Sequence, residues 1–349
     1  MKGIVIWAHS KCRSTFDLYR EVMRQSSVPV QLVFWKDVLD VRIVQGFSEK
    51  VFECIPSVAI GDDRAAADRI LDETVDWVHV VAAYQVAGVM QHVMRIAKVR
   101  GDRVVVYSEA PCEMCLGVKG LMKRLYYRFV LPGRIRSVVA CADLILSQSG
   151  VMGVDRLERL GWSCEKIVPF GYASPRLSSE ENDFRSQSSI STSLRVLHLG
   201  SEAAYRGVDI LEKAVRLAQR QGAMIELSKS GGTLPISELV AVIRAADIVV
   251  GCGLCEPWGM RINDAVLEGK PVIVSDGMGV AYMVEQEGCG LVVPKGDPVA
   301  LAKALERCAK DRDLVKRLAS GAQRAAQRWS PESRAADFLR IVLGDETRQ

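Results

Sequence analysis

No stretch of the 349 residues has the unbroken apolar length that a membrane-crossing helix needs, because His79, Gln85, Gln91 and His92 interrupt the longest candidate. No leader is expected at the opening residues either. MKGIVIW has neither a long apolar core nor a small-residue cleavage site, so it reads as a first strand and the expectation is a cytoplasmic protein. Charge of one sign is scarce: the formal net charge is +4, the whole excess lies before Ser174, and no broad basic surface is left for nucleic acid. A metal-binding Asp-x-Asp turn is also lacking. Asp311 and Asp313 have the spacing but fall in a charged helical stretch, so no metal is expected. Cysteine is not scarce, with ten residues, yet nothing suggests a secreted disulfide framework, and reduced thiols are expected. Two C-x-x-C pairs, Cys112 with Cys115 and Cys252 with Cys255, have zinc-ligand spacing. They lack the glycine-rich knuckle of such sites and are read as buried or idle thiols.

The chain is long for one core, and 49% apolar with 25% charged residues marks it as globular, so two domains are expected. Apolar β-type runs at Gly3–Trp7, Val30–Trp35, Trp77–Val81, Arg103–Ser108 and Leu144–Gln148 alternate with helical stretches, which argues for a doubly wound parallel α/β sheet. The composition then turns polar and serine-rich from Ser178 to Ser193, and a second alternating series follows from LRVLHLG. The boundaries read as a first domain over 1–175, a linker over 176–194, a second domain over 195–329 and a terminal helix over 330–349.

The densest information lies in EPWGMRINDAVLEGKPVIVSD, Glu256 to Asp276. The pattern predicts a strand over Asp247–Val250 that leads into a glycine-bearing loop, a helix that starts near Gly259, and a stop at Gly269 and Pro271 before the strand PVIVS. The helix N-terminus offers unpaired amides and the positive dipole end, a seat for a diphosphate. Glu256 precedes that seat and Asp264 lies about one turn inside the helix, so two acceptors flank it and can each take hydroxyl protons.

The order acid, Pro, aromatic, Gly, then acid, Ala, then Gly-x-Pro-Val resembles the retaining glycosyltransferases of family 4, whose signature is Glu, seven residues, Glu; here it is Glu256, seven residues, Asp264. GCGLVVPKGDPVALAKAL, Gly288 to Leu305, extends the likeness. The resemblance implies a GT-B fold, two Rossmann-like doubly wound domains facing across a cleft, with the terminal helix returning to the first domain. It implies transfer of a hexose-type sugar from a nucleotide-diphosphate donor, the donor substrate taking the place of any cofactor, to a glycan or lipid-linked acceptor in bacterial-type surface-polysaccharide assembly.

By the same resemblance Glu256 binds donor-sugar hydroxyls, amides around Trp258, Gly259 and Met260 contact sugar and phosphate, and Asp264 holds the ribose. In HLGSEAAYRG, Gly200 opens the matching loop, Arg206 stands where the family has a Lys, and Ser201 stands where it has an Arg, so one cation is missing. A single guanidinium can still grip two phosphate oxygens through its planar fork. Glu109 lies about where many members carry a His that faces the reacting sugar; it is an acceptor-orienting base or a buried, paired carboxylate. Ser14 with Asp17 reads as a capping box, His79 as core, and the short SKSGG segment, Ser228 to Gly232, as a turn or a donor loop. Lys119 to Arg136 carries six cations and no acid, with Leu121, Met122, Leu125 and Phe129 on one helical arc. That pattern suits peripheral attachment to an anionic membrane, or a helix packed on its own domain with a solvated basic face. Rival functions are a nucleotide-sugar 2-epimerase and a non-catalytic nucleotide-sugar-binding partner subunit.

Overall fold

The computed structural model describes residues 1–36, 55–173, 177, 192–201, 203–231 and 234–344. The serine-rich stretch read as linker lies almost wholly outside the described residues, as do the side chain of Ser14 and the end of the SKSGG segment. The chain forms two compact units. One comprises Met1–Pro111, Met122–Ser174 and Pro331–Gln349, the other Cys112–Leu121 and Pro175–Ser330.

The first unit is built on a seven-stranded parallel sheet: β1 (Ile4–Ser10), β2 (Val30–Lys36), β3 (Ser57–Ala59), β4 (Val78–Val81), β5 (Arg103–Ser108), β6 (Leu144–Ser147) and β7 (Ile167–Pro169). Their spatial order is β3-β2-β1-β4-β5-β6-β7, the reversal beside β1 being the mark of double winding. Strands covered by helices on both faces lose the polar–apolar alternation of a half-exposed sheet, and β4 accordingly is buried along its whole length. The first helix begins at Arg13 after Cys12 rather than at the Ser14 box. The terminal helix Pro331–Leu343 puts Phe338 against Tyr107 and Phe170 within this unit, edge to face at 5.7 and 6.1 Å.

His79 is fully buried in β4, as its apolar neighbours imply. Its Nδ1 accepts from Trp7 Nε1 at 3.1 Å, which leaves Nε2 to carry the ring proton toward Asp102 Oδ2 at 3.6 Å. Burial pushes the imidazole pKa down, against an opposing pull from Asp102. The folded chain therefore takes up this proton less readily than the unfolded one. Stability linked to His79 is fully present above its unfolded pKa of about 6.5 and is lost as pH falls below it. Urea titrations should accordingly give a lower midpoint at pH 5 than at pH 7.5, with a smaller difference in His79→Gln.

The second unit holds five parallel strands, β8 (Leu194–Leu199), β9 (Ile225–Ser230), β10 (Ile248–Gly251), β11 (Val272–Ser275) and β12 (Gly290–Val293), in the order β12-β11-β10-β8-β9. Ser228–Ser230 are the end of β9, not a loop. The helix Val208–Arg220 buries Leu211, Ala214, Val215 and Ala218 at helical spacing against the sheet. Strand ends β8 and β10 adjoin, so the loops that leave them meet.

Candidate functional site

The loop leaving β8 passes through Gly200, makes a short turn at Ala204–Arg206 and enters the helix Val208–Arg220. Gly200 has φ 137°, a conformation L side chains rarely adopt, and a Cβ there would stand 3.0 Å from Arg206 Nη1. The bare backbone is what lets the guanidinium lie across the strand end. Ser201 is exposed beside it. From β10, Gly251 leads through Gly253 to Glu256, and Gly259, at φ 112°, caps the helix Met260–Leu267. A Cβ on Gly259 would come within 2.6 Å of Met278 Cε and 3.2 Å of Val280, so this turn closes only with glycine.

These two loops form one pocket, with Arg206, Glu256, Gly259, Arg261 and His198 among its lining. Arg206 Nη1 donates to Glu256 Oε1 at 3.1 Å. Arg206 Nε is buried with no partner among the described residues, so the guanidinium keeps donor capacity. Burial pushes the Glu256 carboxyl pKa up, and the Arg206 charge opposes that shift. The backbone of Glu256 is pinned on both sides: its N–H donates to Gly277 O at 2.9 Å, and its carbonyl accepts from Gly279 N at 3.1 Å. In the helix that follows, Ile262 and Asn263 donate to Gly259 O, while the amides of Met260 and Arg261 precede the first intrahelical bonds. One cation, one carboxylate and a helix N-terminus thus converge, which suits an anion carrying hydroxyls.

Other expected site residues fall differently. The Trp258 side chain is core: it is 1% exposed, its Nε1 donates to Asn263 Oδ1 at 3.1 Å, and its ring lies 5.7 Å from that of Trp329. Only its backbone remains for a ligand. Asp264 is half-buried, does not line the pocket, and lies 3.7 Å from Arg261 Nη1. Glu109 belongs to the first unit, where its Oε1 accepts from Tyr172 Oη at 2.7 Å. The Asp-x-Asp pair serves local structure, Asp311 capping the following helix through Leu314 N and Asp313 pairing with Lys316.

Two basic lining residues were not foreseen. Arg261 is a second cation near the helix start, where the sequence had suggested a single one. His198, 3% exposed at the end of β8, donates from Nδ1 to Val250 O at 3.1 Å, so its neutral ring presents Nε2 as a lone pair with no partner among the described residues. Burial lowers its pKa, and Arg206 and Lys229 add to the shift. Its position at the C-terminal end of a parallel strand was the available signal.

One pair departs from the expectation of reduced thiols, while the other described cysteines are thiols. One cysteine from each C-x-x-C motif is joined in a disulfide, Cys112 to Cys255. The four-thiolate arrangement is not formed, since Cys252 Sγ instead donates to Gly207 O at 3.1 Å and Cys115 Sγ to Glu113 O at 3.0 Å. Cys112, Glu113 and Cys255 nevertheless hold three potential ligand atoms within 4.8 Å of one another.

Two parallel-sheet units, with a pocket at the strand ends of the second, match the GT-B fold, and comparison with solved structures shows that fold. Anabaena Alr3699/HepE in complex with UDP superposes with a TM-score of 0.65 at 14% identity, covering 98% of this chain and 100% of that one. The same protein with UDP-glucose gives 0.60 at 16% identity, covering 98% and 100%. A glycosyltransferase from Rickettsia africae gives 0.63 at 12% identity, covering 99% and 100%. More particularly, residues 229–325 match the family model described as "Glycosyl transferases group 1". A D-inositol 3-phosphate glycosyltransferase of Salinispora tropica is 35% identical over 104 residues, 30% of this chain and 22% of that protein. The match thus spans about a fifth of that relative's length.

Proposed function

We propose that this chain is a metal-independent, retaining glycosyltransferase that moves a hexose-type sugar from a UDP-type donor to a glycan or lipid-linked acceptor in surface-polysaccharide assembly. The observation that carries the reading is the meeting of Arg206, Glu256 and the N-terminus of the helix Met260–Leu267 in one pocket. Support comes from the family match over 229–325 and from the UDP and UDP-glucose complexes of a protein with the same fold.

Breaking the anomeric bond leaves negative charge on the departing diphosphate oxygen. Arg206 and the amides of Met260 and Arg261 are fixed donors near that charge, and preorganised donors lower the barrier without reorganising. Glu256, released from Arg206 as the guanidinium turns to phosphate, takes sugar hydroxyl protons. Asp264 and Arg261 serve the ribose side, with a water bridging the reach lost on shortening Glu to Asp. Attack comes from the face the diphosphate leaves, which retains configuration and calls for no enzyme nucleophile.

The test is product analysis with UDP-hexoses, with and without candidate acceptors, including an inositol phosphate because of the Salinispora relative. Transfer that persists in EDTA and keeps the anomeric configuration is expected. An epimerised nucleotide sugar formed from donor alone, or binding without turnover for any acceptor, would contradict it.

A peripheral membrane contact belongs to the same reading. The helix Gly117–Leu125 continues through a π turn at Tyr126–Val130 into the helix Leu131–Val139. Val118, Met122 and Phe129 are 78%, 62% and 69% exposed, and Lys119, Lys123, Arg124 and Arg128 are exposed beside them. Packing on the chain's own core does not cover these apolar groups. Exposed apolar side chains interleaved with cations fit the boundary layer of an anionic bilayer. Among the described residues no helix is long and apolar enough to cross a membrane. Cosedimentation with phosphatidylglycerol vesicles is expected, with little binding to phosphatidylcholine and release at about 0.5 M salt, where screening is short-ranged. A Phe129→Glu, Met122→Glu variant should bind at least about tenfold more weakly; equal binding to neutral vesicles would count against the contact.

A further inference from the structure

We propose that Cys112 and Cys255 are a redox-modification site that takes its oxidising equivalents from a low-molecular-weight disulfide, such as glutathione disulfide, and thereby sets the loop that carries Glu256. Only the consequence for donor binding rests on the function proposed above; the thiol chemistry does not.

The two cysteines are 143 positions apart, yet the segment Cys112–Leu121 belongs to the second unit and brings Cys112 to the loop after β10. Their Cα atoms are 6.4 Å apart, within the span a disulfide bridges. Cys255 is partly exposed and Cys112 is buried, so one sulfur is open to attack from solution and the other is placed to resolve. In the reduced form the Cys255 Sγ–H donates to Glu113 Oε2 at 3.0 Å, which orders the side chain beside Cys112. By contrast, Cys252 and Cys289 are buried and their pKa values are pushed up to about 12.

The exchange balances in two steps. The Cys255 thiolate attacks the small disulfide, forming a mixed disulfide and releasing one small thiol. The Cys112 thiol, as its thiolate, then displaces the second small thiol and closes the protein disulfide. Two protein thiols are oxidised and one small disulfide is reduced to two thiols, each taking one of the released protons.

Cys255 sits between two backbone struts: Leu254 N donates to Tyr205 O at 2.7 Å, and Glu256 N donates to Gly277 O at 2.9 Å. Tyr205 precedes Arg206, so anchoring the Cys255 side chain restrains the loops that carry both members of the ion pair. The oxidised form holds the pocket organised, and the reduced form frees the loop to sample others.

The experiment treats the whole protein with glutathione disulfide or with dithiothreitol. Mass spectrometry of an oxidised digest should find peptides containing Cys112 and Cys255 linked, with the mass of two hydrogens lost. Amide exchange over residues 253–259 should slow by about tenfold on oxidation, and UDP should bind about three- to tenfold more tightly. Cys255→Ser should ignore the oxidant, Cys112→Ser should stop at a mixed disulfide on Cys255, and both should exchange like the reduced protein. A glutathione adduct that stays on Cys255 of the parent without a link would overturn the proposal. So would a link that leaves amide exchange unchanged, or about one zinc per chain, in the ratio expected for a metal site, that protects both thiols from oxidation. If UDP binds neither form, the nucleotide reading fails, and amide exchange alone decides the redox site.

Discussion

Arg206→Ala is expected to lower transfer from a UDP-sugar by about 10²- to 10³-fold, the usual cost of losing one fixed donor at a developing oxyanion. The guanidinium is the cation that the ion pair holds in the pocket beside the helix N-terminus, and Gly200 leaves the space in which it lies. A second effect follows from the pair itself. Without Arg206 the buried Glu256 loses the charge that opposes its upward pKa shift, so the carboxyl becomes easier still to protonate. The activity lost should therefore recover less at acid pH than at alkaline pH, where the carboxylate re-forms. Arg206→Lys keeps a charge but not the fork, and should retain more activity than Ala while falling well short of the parent. Steady-state kinetics across donor concentrations measures both, and a variant within about threefold of the parent would remove Arg206 from the leaving-group site.

Glu256→Gln carries the second large effect. The substitution keeps shape and an acceptor oxygen but removes the charge that grips sugar hydroxyls, and a drop of about 10²-fold in turnover is expected. Stability should move the other way. A carboxyl whose folded pKa lies above its unfolded value destabilises the fold at pH values above both, so a neutral amide should leave the melting temperature unchanged or higher at pH 7.5. Activity lost at undiminished stability marks a functional group rather than a structural one. Parallel loss of both would assign Glu256 to the framework.

Much of this site was legible because it is local. The strand, the glycine turn, the helix start and the capping Gly269 occupy about two dozen consecutive residues, and each obeys short-range rules of backbone conformation. The parallel strands were readable for the same reason, since β4 and β10 are short apolar runs between helical stretches. What escaped was contact between distant segments. Nothing in the spacing of either C-x-x-C motif says that Cys112 meets Cys255 across 143 positions while Cys115 and Cys252 turn to backbone carbonyls. His198 looked like one more strand residue; only the neighbouring β10 carbonyl, which fixes its Nδ1, reveals the lone pair left at Nε2. For Trp258 the expectation concerned only the backbone amides; the indole itself, with Asn263 and Trp329 in reach, is stabilised by burial. The basic helix after Gly117 gave two arcs on a wheel, and the wheel could not tell that both arcs face outward.

The central claim is that Arg206 and the helix N-terminus at Gly259 receive a diphosphate. Calorimetric titration of the parent and Arg206→Ala with UDP and with UMP tests it without turnover. The account predicts that the parent binds UDP at least about tenfold more tightly than UMP, and that Arg206→Ala erases most of that gap while binding UMP almost as before. Equal affinity of the parent for the two nucleotides, or a gap that survives the loss of Arg206, would contradict it.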